Sequence, residues 1–198
     1  MKNPDILEIL EPIIRIFEKI GVSYYIGGSL ASSAFGIARA TMDIDLVSDL
    51  SLDHVEILVK TLEQNYYIDE DMIKEAINRK SSFNVIHLET SMKIDVFVLQ
   101  DSPYSKNAFS RKRAEILDEG GRLFFLPSPE DIILIKLDWY KLGGCISERQ
   151  WSDILGVLKV QKKNLDLKYL QYWATELRLE DLLHTAFMES GITTPSNH

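Results

Sequence analysis

Arg39-Ala40-Thr41-Met42-Asp43-Ile44-Asp45-Leu46-Val47 is the stretch whose reading decides the fold. Acid and apolar residues alternate over 42–47, which predicts a β-strand with one polar face. On a strand, side chains two apart share a face, so Asp43 and Asp45 point the same way with Cα atoms about 6.5–7 Å apart. In water such a pair repels by well under ~1 kcal/mol, and by itself it is also what a solvated edge looks like. The flanking Ile44, Leu46 and Val47 instead mark a core strand, where an uncompensated acid is costly. Two carboxylates converging to about 4 Å repel by roughly 4 kcal/mol at an effective dielectric near 20, a penalty that a divalent cation reverses.

A third acid sits in the same setting further along. Asp95 interrupts Lys93-Ile94-Asp95-Val96-Phe97-Val98, otherwise an apolar strand. Alone, it reads equally as a salt bridge or a buried cap. If its strand lies beside that of Asp43 and Asp45, three carboxylates gather where a pair of cations about 3.5–4 Å apart could be held. Oxygen ligands of this kind select hard ions, Mg2+ or Mn2+.

Upstream, Ile6, Leu10, Ile13, Ile14, Phe17 and Ile20 give helical spacing over 4–20, stopped by Gly21. Ser23 to Ile26 is β-prone and ends at Gly27-Gly28-Ser29, a tight turn opening a helix over about 30–36 with Ser29 as its cap. Backbone N–H groups at such a turn can approach a phosphate, which the helix dipole favours. The turn lacks the lysine of a P-loop and the glycine pattern of a dinucleotide fold.

Downstream, a helix is expected from Ser51 to about Asn65 and another near 70–79. Strands are expected at Phe83–Leu88 and Met92–Leu99, and a hairpin over Glu115–Leu126 broken by Gly120-Gly121. From Ser128 the chain reads as helical. Ser128-Pro129-Glu130-Asp131 supplies a cap, a first-turn proline and acids at the positive end, and further helices fall near 147–160, 166–176 and 178–189. The fold class is therefore α+β: a mixed β-sheet flanked by helices, with a C-terminal helical segment. The expected division is a core over 1–127, a helical segment over 128–192 packed on it, and a flexible tail over 193–198.

The 198 residues are 45% hydrophobic and 26% charged, as in ordinary globular proteins, and the net charge of −8 excludes a global basic field for gripping duplex nucleic acid. Two local clusters, Lys106/Arg111/Lys112/Arg113 and Lys159/Lys162/Lys163/Lys168, read as solvated faces. One cysteine, Cys145, allows no intrachain disulfide, and the polar start from Met1 to Glu8 is unlike a secretory signal. No apolar run nears the roughly 20 residues of a membrane helix. A cytoplasmic protein without membrane partners is the expectation.

Taken together, Gly27-Gly28-Ser29, the helix after it, Arg39 to Leu46 and Lys93-Ile94-Asp95-Val96 resemble the polymerase-beta-like nucleotidyltransferase superfamily, over roughly residues 20–100. That superfamily carries a Gly-Ser turn, a strand with two acids spaced by one residue, and a third acid on a later strand. Lys136, Arg149 and Asp153 are in addition similar to motifs of the abortive-infection toxin nucleotidyltransferases of the AbiEii type. The resemblance implies that Asp43, Asp45 and Asp95 are catalytic and ligate Mg2+ or Mn2+. It implies that Asp95 also helps deprotonate an acceptor hydroxyl, that Gly27, Gly28 and Ser29 hold the β- and γ-phosphates of a nucleoside triphosphate, and that Lys136 neutralises triphosphate charge. Arg39 is either a nucleotide contact or an exposed arginine ahead of a strand. Arg149 and Asp153, four apart on a helix, either serve the site or pair with each other.

The reaction so implied is transfer of a nucleoside monophosphate from the triphosphate to a hydroxyl of RNA or tRNA, of a protein or of a small molecule, in a toxin–antitoxin or phage-defence setting with a cognate toxin or antitoxin as partner. Two alternatives stay open: a non-catalytic nucleotide-binding or antitoxin-like regulator, and a transferase acting on aminoglycoside-type small molecules. His54, His87, His184 and His198 show no ligand spacing. Trp139, Tyr140, Trp151 and Trp173 fall in helices, where packing is expected, Tyr140 having stacking on a base as its second use.

Overall fold

Helical spacing of Ile9, Leu10, Ile13, Ile14 and Phe17 winds α1 (Ile6–Ile20) and buries one face of it. The computed structural model describes residues 6–41, 43–117 and 120–192; Met42 and the tail 193–198 expected above lie outside them. After α1 come β1 (Tyr24–Ile26), α2 (Gly28–Phe35) and β2 (Ile44–Ser48). A single 3-10 turn (Leu52–His54) leads into α3 (Val55–Leu62), followed by β3 (Tyr66–Tyr67), α4 (Glu70–Arg79), β4 (Ser82–His87) and β5 (Lys93–Val98). Next are α5 (Pro103–Ser110), the hairpin β6 (Arg113–Ile116) and β7 (Leu123–Leu126), then α6 (Pro129–Leu142), α7 (Glu148–Gln161), α8 (Leu167–Leu177) and α9 (Glu180–Glu189).

The chain forms two compact units. One comprises Met1–Gly27 and Ala40–Leu126, the other Gly28–Arg39 and Pro127–His198. The segment carrying α2 thus belongs with the C-terminal helices, whereas the sequence places it within a core running to residue 127.

The first unit is built on a five-stranded sheet in the order β1-β2-β5-β4-β3. It is mixed: β2 and β5 run parallel and the other three pairings are antiparallel. A parallel neighbour requires a crossover, which α3, β3, α4 and β4 supply. Ile44, Leu46, Ile94, Val96, Val98, Phe83 and Val85 are buried on one face of this sheet. Period-2 alternation sends Asp45, Asp95 and Asn84 to the other. Lys112 is held by burial below the ordinary lysine pKa, with Asp49 opposing, and its ammonium lies 4.1 Å from the Phe109 ring centroid.

In the second unit, α6, α7, α8 and α9 bury Leu134, Leu137, Ile154, Val157, Leu170, Leu183 and Phe187. Ser128 caps α6 through the Asp131 N–H at 3.2 Å, Ser147 caps α7 and Asp166 caps α8. The two buried acids at the start of α6 are structural ties. Glu130 accepts the Asp166 N–H at 3.0 Å and Asp131 accepts the Tyr169 hydroxyl at 2.6 Å. At the end of α2, a Cβ on Gly36 would lie 2.8 Å from both the Ser32 carbonyl oxygen and the Val157 nitrogen, and one on Gly156 would lie 3.2 Å from the Ile37 nitrogen. Only these two glycines let the α2 segment lie backbone-to-backbone on α7.

One sequence expectation, the cap at Ser29, is corrected, and two elements are new. The helix after the Gly-Gly turn begins at Gly28, so Ser29 lies in its first turn and is not its cap. β3 is two residues long, too short to show alternation. α5 went unread although Ser102-Pro103 is a helix start, with the Ser102 Oγ accepting the Ser105 N–H at 3.0 Å.

Candidate active site

The acids meet through strand register. In the parallel β2–β5 pair Asp45 lies opposite Asp95, and in the antiparallel β4–β5 pair Asn84 lies opposite Asp95. Side chains directly opposite each other project from the same face, so Asp45, Asp95 and Asn84 form a row across three strands spaced about 4.8 Å apart. Asp43 precedes β2 and is exposed; Asp45 and Asp95 are half-buried.

Asp95 is engaged at both oxygens. The Asn84 amide donates to Oδ1, and the Lys93 ammonium sits 2.8 Å from Oδ2. Lys93 and Asp95 are two apart on β5 and share its polar face. The hydrogen bond to Asp95 raises the Lys93 pKa above its ordinary value against the opposing effect of burial, and the charges of Asp95, Asp43 and Asp45 add to it. All three acids therefore act electrostatically on one point, which Lys93 partly neutralises. Neither Asn84 nor Lys93 was given a role by the sequence, although an amide or amine on the same strand face as an acid is the signal that finds them.

These residues fit a hard divalent ion in donor type, since the row offers carboxylate oxygens from two neighbouring strands. Among the described residues, no three His, Cys, Asp or Glu side chains are drawn together as a ready-made metal cage. The side chain of Lys93 is 52% exposed, so it can swing into solvent.

The turn before α2 divides between its two glycines. The Gly27 N–H donates to the Asp45 carbonyl at 2.8 Å, extending the β1–β2 ladder, and a Cβ there would meet nothing closer than 3.7 Å. Gly28 has φ of +56°, which a side-chain-bearing residue adopts only with strain.

In the second unit, two of the sequence's candidates, Arg39 and Lys136, converge on a third, Asp153 of α7. The Arg39 guanidinium binds it bidentately, Nε to Oδ1 at 2.8 Å and an Nη to Oδ2 at 2.9 Å, while the Lys136 ammonium donates to Oδ2 at 2.9 Å. The same Arg39 Nη also donates to the Ser29 hydroxyl. Lys136 and Asp153 are each only 9% exposed. Burial alone would raise the Asp153 carboxyl; the hydrogen bonds from Arg39 and Lys136 outweigh it and hold the pKa below the ordinary value. Arg39 is thus neither solely a surface residue nor an unengaged cation. The expectation that Asp153 pairs with Arg149 gives way to Arg39 and Lys136, which come from elsewhere in the chain. Tyr140 packs on Trp151, ring centroids 5.1 Å apart, so its packing use is the one observed.

No protein-family model matches the chain, and no curated protein does. Solved structures do. The solution structure of the antibiotic-resistance factor ANT(2'')-Ia matches at a TM-score of 0.54 and 14% identity, over 92% of this chain and 93% of that one. The crystal structure of ANT(2'')-Ia with adenylyl-2''-tobramycin matches at 0.57 and 12%, over 87% and 96%. An antigenic nucleotidyltransferase-like protein from Paracoccidioides brasiliensis matches at 0.54 and 16%, over 93% of each chain. The lincomycin-bound lincosamide adenylyltransferase LnuA matches at 0.50 and 19%, over 77% and 96%. The chain has the α+β fold of these nucleotidyltransferases.

Proposed function

We propose that the protein transfers a nucleoside monophosphate from a nucleoside triphosphate to a hydroxyl acceptor. The observation that carries this reading is the register of β2 on β5, which sets Asp45 beside Asp95 on one sheet face in a chain of nucleotidyltransferase fold. The acceptor oxygen attacks the α-phosphorus, the bond to the β-phosphate oxygen breaks, pyrophosphate leaves and the acceptor proton is released. Divalent ions held by Asp43, Asp45 and Asp95 would lower the barrier by neutralising charge on the α-phosphate and the departing pyrophosphate.

The chain's own residues divide the remaining work. Asn84 fixes the plane of the Asp95 carboxylate through Oδ1. Oδ2, held by the half-exposed Lys93, is the oxygen that changes partners and accepts the acceptor's proton. Gly28 and Ser29 offer N–H groups and a hydroxyl at the start of α2, suited to the β- and γ-phosphates. The trio Arg39, Lys136 and Asp153 carries one net positive charge for the same phosphates. Most of the acceleration comes from positioning and charge neutralisation.

Two observations favour a small, cationic acceptor. The net charge of −8 repels polyanionic nucleic acid and attracts amines, and structural neighbours carry adenylyl-tobramycin and lincomycin. A toxin–antitoxin setting rests on the likeness of Lys136, Arg149 and Asp153 alone. Because nucleoside triphosphates are cytoplasmic, that is the compartment we propose; among the described residues no helix is long and apolar enough to cross a membrane.

The test is to incubate the protein with each α-labelled nucleoside triphosphate, Mg2+, and in turn aminoglycosides, a lincosamide, tRNA and the protein alone. Label transfer with pyrophosphate release is expected, and Asp45→Asn and Asp95→Asn should abolish it while leaving the circular dichroism spectrum unchanged. Triphosphate binding without turnover across the panel would favour the regulatory alternative; neither binding nor turnover ends the reading.

A further inference from the structure

Asp153 is a buried acid engaged at both oxygens by cations from outside its own helix. Its two oxygens receive three hydrogen bonds from two cations that lie 97 residues apart in sequence, Arg39 and Lys136. Such an arrangement fixes geometry. A bidentate guanidinium–carboxylate pair allows the Arg39 plane one orientation, whereas a water-exposed arginine samples many. With Nε and one Nη committed to Asp153, that Nη also reaches Ser29 Oγ.

The consequence for Ser29 follows from its valence. A hydroxyl has one proton to donate and two lone pairs to accept with. The Arg39 N–H occupies a lone pair, which leaves the Ser29 proton to be given to something else. Ser29 is itself nearly buried at the first turn of α2, where backbone N–H groups also seek acceptors. A hydroxyl turned donor, helix-terminal N–H groups and a net positive charge on the adjacent trio are complementary to phosphate oxygens.

Delivery of Arg39 depends on packing. Gly36 and Gly156 bring the end of α2 onto the α7 backbone, and Gln161 Nε2 donates to the Phe35 carbonyl at 2.8 Å, about two turns beyond Asp153. The chain leaving α2 therefore passes along α7, which sets Arg39 on Asp153.

We propose that Asp153 is a positioning residue for triphosphate binding: it orients Arg39 and Lys136 and, through Arg39, turns the Ser29 hydroxyl into a phosphate donor. This rests on the nucleotidyltransferase reading above. Asp153 touches neither substrate nor metal; it acts through the cations it holds, so its loss must appear in triphosphate affinity more than in the chemical step.

The experiment measures dissociation constants of ATP, GTP, CTP and UTP, each with Mg2+, by equilibrium dialysis, together with KM and kcat for whichever triphosphate is used. It compares wild type, Asp153→Asn, Arg39→Ala and the double variant. Losing one charge-assisted contact corresponds to about tenfold weaker binding. Asp153→Asn should therefore raise Kd and KM about tenfold or more while kcat changes by less than about threefold, and should add little in the Arg39→Ala background because both act through one network. Unchanged Kd in a folded Asp153→Asn protein, or additive effects in the double variant, overturn the proposal. If Asp153→Asn does not fold, Arg39→Lys is read in its place: it keeps the charge but cannot span Asp153 and Ser29 together, and wild-type affinity in that variant overturns the proposal. A wild-type protein that binds none of the four triphosphates overturns the nucleotidyltransferase reading and this proposal together, whereas wild-type binding with unimpaired Asp153→Asn overturns the proposal alone.

Discussion

Removing the ammonium of Lys93 should tighten divalent-ion binding. Lys93 Nζ lies 2.8 Å from Asp95 Oδ2, and a hard ion on the same carboxylate would sit about 2.1 Å from its oxygen, so the two cations would be within ~5 Å of each other. One and two positive charges at ~5 Å repel by about 1.7 kcal/mol in a medium as polar as water, the appropriate limit for a side chain that is 52% exposed. Physiological salt, with a screening length of about 8 Å, reduces this to ~1 kcal/mol, or roughly fivefold in affinity. Release of the existing ion pair adds at most about 1 kcal/mol more. Lys93→Met, which keeps the aliphatic stem, should therefore bind Mn2+ between about five and thirty times more tightly than wild type. Electron paramagnetic resonance of the free ion during titration measures this directly, without reference to turnover. The metal-free variant should unfold within about 1 kcal/mol of wild type, since an exposed pair contributes no more than that. Unchanged or weaker Mn2+ binding in Lys93→Met would refute the idea that Asp45 and Asp95 share an ion beside Lys93.

Gly36→Ala should destabilise the protein by about 1–3 kcal/mol in urea unfolding, because its Cβ would meet backbone atoms at 2.8 Å that cannot rotate aside. Gly28→Ala should cost about 1–2 kcal/mol through its positive φ, whereas Gly27→Ala, with no contact under 3.7 Å, should unfold within about 0.5 kcal/mol of wild type. The Asp153 carboxyl has its pKa lowered on folding, so its contribution is complete above the unfolded value and is lost as pH falls through the folded one; the stability gap between wild type and Asp153→Asn should be flat above about pH 5 and shrink below about pH 4. Asp138 behaves oppositely, because burial raises its pKa against Lys141: it disfavours the folded state once ionised, so Asp138→Asn should raise the melting temperature at pH 7 and leave it unchanged below about pH 3.

Much of this molecule is legible in its residues, and the reason is local. Acid–apolar alternation around Asp43 and Asp45 and around Asp95 marks two strands because period 2 is a property of the strand itself. Ser128-Pro129 marks the start of α6 because capping is settled within four residues. The mixed sheet and the helical C-terminal part follow from the order of such elements. Tertiary structure decided the rest. No spacing says that Asp45 stands opposite Asp95, since the parallel register depends on how the β2–β5 crossover packs. No motif says that Arg39 and Lys136 share Asp153 while Arg39 also reaches Ser29, for that network exists only once Gly36 and Gly156 let α2 and α7 touch. Side-chain chemistry is written along the chain, but the distances that turn it into a site are set by long-range packing, which no window of sequence contains.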